Sequence, residues 1–126
     1  MTRFPQSVPS SVVALPLRVA ADGRLERASP AESLMRLFRA MAATRPAAWP
    51  HAPWFGLADV FAAANPQLHD QQGIADALNQ ALDGLGVGWA RVAHVHAGPG
   101  AEYGAKDFVI ALELAGGQVV HEAIHA

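Results

Sequence analysis

Two stretches repeat apolar residues at helical spacing, and the C-terminal third alternates them instead. Leu34, Leu37, Phe38 and Met41 recur on one face, with Arg36 and Arg39 on the others, so a helix is predicted there. Ser29 can cap it, Pro30 suits its first turn, and Glu32 stands three residues after the cap, a capping box with a proline lead-in. The helical signal stops after Thr44. Pro46, Pro50 and Pro53 then fix a stiff loop that carries Trp49, Trp54 and Phe55 and closes on Gly56. Three aromatics in a stiff loop need burial in the body or in a partner, and the plainer expectation is a loop pinned onto its own core. Leu57 to Ala64 reads as a short helix with Leu57, Val60 and Phe61 on one face, ended by Asn65-Pro66. Gln71 to Leu85 is the second strong helix. Ile74, Leu78, Leu82 and Leu85 form its stripe, and Gly84 and Gly86 supply the stop.

The alternating stretches predict strands. Val12 to Val19 is rich in Val and Leu but is interrupted by Pro16, which suits an edge strand or a bulge. Asp22-Gly23 is a hairpin turn signal, with Arg24 to Arg27 as the return strand. From Val87 to Ala97 the period is two. Val87, Trp89, Arg91, Ala93 and Val95 take one face, and Gly88, Ala90, Val92, His94 and His96 the other. A glycine-rich loop covers Gly98 to Lys106. Phe108, Ile110, Leu112 and Leu114 then point inward with Glu113 outward, Ala115-Gly116-Gly117 turns, and Gln118 to Ala126 makes a last strand. The expected fold is α+β: an N-terminal hairpin, then two main helices packed on one face of a C-terminal antiparallel meander sheet. The helical and strand stripes are expected to bury one another. A meander this short should leave at least one edge open. Residues 1–126 form one domain, with residues 1–11, rich in proline and serine, expected as a flexible tail.

Composition narrows the function classes. The net charge is −2, and no basic patch supports nucleic-acid binding. Cysteine is absent, so neither disulfides nor thiolate metal sites arise. No apolar run reaches the roughly 18 residues of a membrane span. The first residues lack the order of a signal peptide, so a soluble, cytoplasmic protein is expected.

In order and spacing, Val12 to Val120 resembles the baseplate wedge proteins of contractile tails, the GPW or tail-lysozyme-like family, which includes TssE of the type VI secretion system. Members carry a helix ending in a pattern like T-x-P-G-E, followed by P-x-F-G. Here these read Thr44-Arg45-Pro46-Ala47-Ala48 and Pro53-Trp54-Phe55-Gly56. At the family's Glu-Pro-Arg signature the chain reads Trp89-Ala90-Arg91. The resemblance implies a structural, non-catalytic role. Its implied partners are sheath subunits, docked by strand addition, and larger wedge proteins. Trp54, Phe55, Gly56, Trp89 and Arg91 are the implied partner-binding residues. The lost Glu-Pro pair shifts the expectation from type VI secretion towards a phage tail or a phage-tail-like injection particle.

Enzymatic alternatives rest on thinner patterns. His121-Glu122-Ala123-Ile124-His125 matches the zinc-hydrolase pattern H-E-x-x-H. That chemistry needs a helix, where residues four apart lie about 5–6 Å from each other. The preceding Gly-Gly-Gln-Val-Val reads as turn and strand, which would separate the histidines by about 13 Å at roughly 3.3 Å per residue. His94 and His96 share a strand face, and His121 could join them on a metal, though exposed strand histidines are commonly metal-free. A peptidoglycan-cleaving glycosidase needs two carboxyl groups about 5–9 Å apart, one in an apolar pocket. Glu102, Asp107, Glu113 and Glu122 are the available carboxylates, and no pattern marks a cleft around them. No catalytic residue, metal ligand or cofactor is therefore assigned.

Overall fold

The computed structural model describes residues 4–9, 12–13, 21–24, 27–65, 71–103 and 105–125. The elements run β1 (Val12–Val13), β2 (Arg27–Ala28), α1 (Pro30–Ala42), α2 (Ala58–Ala63), α3 (Gln72–Gly84), β3 (Ala90–Ala97), a 3₁₀ turn (Pro99–Tyr103), β4 (Asp107–Leu114) and β5 (Val119–His125). This is the expected α+β arrangement. β1 and β2 pair antiparallel, and β3, β4 and β5 form a separate antiparallel sheet in that order. In the N-terminal hairpin, Asp22 Oδ1 accepts from the Arg24 amide and Gly23 holds φ +83°. Residues 14–20 and 25–26 of the expected hairpin lie outside the described ones.

α1 starts as its sequence dictates. The Ser29 hydroxyl accepts from the Glu32 amide, and Pro30 opens the first turn. The Glu32 carboxylate is engaged by Arg36 at 2.6 Å. Leu34, Phe38 and Met41 are buried with Met35, while Leu37 is only partly covered. They pack in one core with Leu57, Phe61, Ile74, Leu78 and Leu82 against Phe108, Ile110, Leu112 and Ile124 of the sheet. Leu85 departs from the expected stripe. It caps the end of α3, beyond the last helical turn, and is 41% exposed.

The aromatic loop folds back on the helix it follows. The Leu57 and Ala58 amides donate to the Met41 and Thr44 carbonyls, both at 2.9 Å, which satisfies acceptors the helix end leaves free. Gly56 is where the loop meets that end. A Cβ there would stand 2.0 Å from the Arg45 carbonyl oxygen, so no larger residue fits. Ala47 holds φ +62°, the one non-glycine with positive φ among the described residues. Lys106 closes the far side, its ammonium donating to the Ala62 and Ala64 carbonyls at the end of α2.

A bulge between Val92 and His94 overturns the expected faces of β3. Ala93 is the extra residue, and it flips the alternation. Ala90, Val92 and Val95 all face the core, while Arg91, His94 and His96 line the other side. The strict period of two placed Val95 with Arg91 and apart from Val92, and the inserted residue reverses that. At the N-terminus, Gln6 ties its segment to the body. Its amide donates to the Gly88 carbonyl, its Oε1 accepts from the Gly88 amide, and its Nε2 donates to the Gly86 carbonyl. Residues 4–9 of the expected tail therefore run beside the loop that enters β3.

Candidate functional site

Among the described residues, the sheet offers two edges and one face without a helix. At the β3 edge, Asn79 of α3 binds both backbone groups of Val92. Its Nδ2 donates to the Val92 carbonyl at 2.9 Å, and its Oδ1 accepts from the Val92 amide at 2.8 Å. The side-chain amide thus does what a neighbouring strand would do. Two positions past the bulge, the Gln71 amide donates to the Val95 carbonyl at 3.0 Å. The edge of β3 is closed over its middle by the start and body of α3.

The β5 edge is different. The Leu114 amide donates to the Gln118 carbonyl at 2.8 Å, which sets the phase of the β4–β5 ladder. Leu112–Val120, Ile110–Glu122 and Phe108–Ile124 are then the bonded pairs. The N–H and C=O groups of Val119, His121, Ala123 and His125 turn away from the sheet. Among the described residues, one side chain reaches that row: Arg39 Nη2 donates to the Ala123 carbonyl at 3.1 Å. A groove of about 610 Å³ runs beside it, between the first half of α1 and β5. Ala31, Met35, Leu114 and Val120 give it an apolar floor, and Glu32, Arg39, Gln118 and Glu122 edge it.

The helix-free face carries the histidines. Register places His94, Ala111 and His121 in one row, and His96, Val109 and Ala123 in the next. The His94 and His96 rings stack, with centroids 5.2 Å apart. His125 Nδ1 lies 2.7 Å from Asp107 Oδ1. The other Asp107 oxygen accepts from the Gly100 amide at 2.8 Å, and the Asp107 carbonyl accepts from Gly98. Asp107 is buried, and a Cβ on Gly98 would stand within 2.9 Å of its carboxylate oxygens. Asp107 is a clamp that fastens the 3₁₀ loop to the start of β4. The H-E-x-x-H residues lie on β5, so the helix that zinc hydrolysis requires is not formed there. No group of three His, Asp or Glu side chains among the described residues is placed to hold a metal ion.

The expected partner-binding residues do not form one cluster. Arg91 is exposed on the helix-free face of β3, opposite Glu113. Trp89 is buried, and its carbonyl accepts from the Ala115 amide. Trp54 and Phe55 are partly buried against the core, and Gly84 gives the Trp54 ring a flat seat, since a Cβ there would lie 2.6 Å from it. Gly56 is buried. Trp49 alone of the loop aromatics is largely exposed, at 59%, edge-on to Phe55. The carboxylates are also dispersed. Asp107 belongs to its clamp, Glu113 lines a cleft of about 560 Å³ beside residues 4–8, and Glu122 lies at the β5 groove. The side chain of Glu102 lies outside the described ones.

Asn79, Gln71 and Arg39 are the residues that sequence reasoning missed. Each is an ordinary polar position on a helix or at its start, and its importance comes from the strand it meets in space. No family model, curated protein or solved structure matches the chain.

Proposed function

We propose that this chain is a structural component of the baseplate of a contractile tail or a tail-like injection particle. It holds a neighbouring sheath or wedge subunit by adding that subunit's extended arm to β5. The observation that carries the docking mode is the contrast between the sheet edges: Asn79 and Gln71 occupy β3, while among the described residues β5 turns four sets of backbone groups to one removable side chain. Main-chain hydrogen bonds supply affinity in this mode, and alternate side chains supply specificity. The particle is inferred from the resemblance, whose motif positions have physical counterparts here. Gly56 of the Phe-Gly loop has no room for a side chain, and Ala47, where the family pattern has glycine, adopts the left-handed conformation.

The test uses proline on the edge strand. His121 points its amide outward, so His121→Pro removes a docking donor and leaves the β4–β5 ladder bonded. Glu122→Pro breaks the ladder itself and serves as the unfolding control. Co-expressed with sheath and wedge proteins of a contractile tail from the same source, the His121→Pro chain should stay folded and fail to recruit sheath. Normal recruitment by a folded His121→Pro chain would exclude β5 as the docking edge.

A further inference from the structure

We infer that Arg39 is a placeholder on the β5 edge, and that the segment replacing it is an extended strand with a basic residue opposite Glu122. The inference rests on the docking mode proposed above and specifies the partner's chemistry. Arg39 already shows what the edge accepts. Its Nη2–H bonds the outward Ala123 carbonyl at 3.1 Å, the bond an incoming backbone amide would make. Its charge lies 4.0 Å from Oε2 of Glu122, the residue before Ala123 on the same strand. One side chain therefore copies both parts of a docked strand, a backbone donor and a cation.

The copy is loosely held. Both side chains of the Arg39–Glu122 pair are about half exposed, and an exposed pair is easily given up. Register fixes what replaces it. Glu122 belongs to the bonded pair with Ile110, so its side chain points to the helix side of the sheet, over the groove. The residue of an added strand directly across from Glu122 faces the same way. A carboxylate there meets a like charge, whereas Lys or Arg meets an opposite one. Glu32, the other carboxylate at the groove, is already held by Arg36 at 2.6 Å. The neighbouring groove-side positions of the strand lie over Met35, Leu114 and Val120 and take apolar side chains. Until that strand arrives, Arg39 keeps the edge from pairing with another copy, a common task of charged residues at strand edges.

The full chain, ¹⁵N-labelled, is titrated with synthetic alternating Val/Thr peptides carrying Lys or Glu at the central apolar-side position. The Lys peptide should shift the amides of Val119, His121, Ala123 and His125 and bind about tenfold tighter than the Glu peptide. Arg39→Ala should tighten the Lys peptide several-fold, because the competitor is gone. Glu122→Gln should remove most of the Lys preference. Equal binding of the two peptides, or weaker binding by Arg39→Ala, overturns the placeholder while leaving strand addition at β5 in place. No shift in the β5 amides with any peptide overturns the docking mode itself.

Discussion

The two edges of the sheet are guarded by different side chains, and the difference is one of reversibility. At β3 the guard is an amide with a short stem on a helix packed against the strand. Asn79 makes two bonds under 3 Å to one residue, and Val92 is 2% exposed. Water has little access to either group, so opening this edge leaves buried polar atoms unpaired. At β5 the guard is a guanidinium on a long, half-exposed stem that makes one bond to Ala123. Releasing it costs little, because water and the gain in rotamer freedom both offset the loss. Strand addition on one side only, as proposed, would use both kinds of guard.

The largest expected effect tests whether α3 is what closes β3. Leu78 is fully buried beside Asn79, and Leu78→Ala should destabilise the fold by about 2–5 kcal/mol in urea unfolding. A loss below about 1 kcal/mol would mean that α3 is not anchored in the core as the burial implies. Asn79→Ala comes next. Removing both of its bonds strands the Val92 amide and carbonyl, at a cost of about 1–3 kcal/mol. Hydrogen exchange at the Val92 amide should accelerate, with the outward amides of β5 unchanged. Unaltered protection at Val92 would break the contrast between the edges.

A stabilising change away from both edges supplies the control. Ala47 holds φ +62°, which a side chain disfavours. Ala47→Gly should relieve that strain and raise stability by about 1 kcal/mol. Exchange at Val92 relative to that at the outward β5 amides should keep its ratio. A changed ratio would show that the aromatic loop is coupled to the edges.

The elements were legible in the sequence, and the guards were not. Helical spacing in Leu34–Phe38–Met41 and Ile74–Leu78–Leu82 specifies which faces are buried, because burial of an apolar stripe is a local pattern. The alternation in Phe108–Leu114 does the same for the central strand. The bulge at Ala93 left a fainter trace. Val92 and Val95 are apolar while His94 and His96 are polar, and an unbroken period of two cannot send both valines inward. Alanine at the extra position gave no turn signal to mark it. Leu85 was misplaced because its stripe continues past the end of the helix. Arg39 and Ala123 are 84 positions apart in sequence, and Asn79 meets Val92 across a helix–strand connection. Neither pairing has a local signature, so the site became visible only once the strands had been placed in order.

The smallest expected effect on stability concerns Arg91, and it decides how far the proposed docking would spread across the sheet. Arg91 is exposed on β3, the closed edge, but it lies on the helix-free face shared with β5. Register lines it up with Glu113 and Val119, so that row crosses the whole sheet to the start of the open strand. Arg91→Ala should change stability by less than about 0.5 kcal/mol, as an exposed residue outside the core. A partner that adds its strand to β5 and lays further mass over this face would meet the guanidinium through charge-assisted bonds. Sheath recruitment by Arg91→Ala should then weaken about tenfold, about 1.4 kcal/mol in binding, while His121→Pro abolishes it. Unchanged recruitment confines the contact to β5 and its groove, leaving Arg91 a solvated surface residue. The reverse ranking, with Arg91→Ala abolishing recruitment and His121→Pro harmless, would place docking on the β3 side despite Asn79.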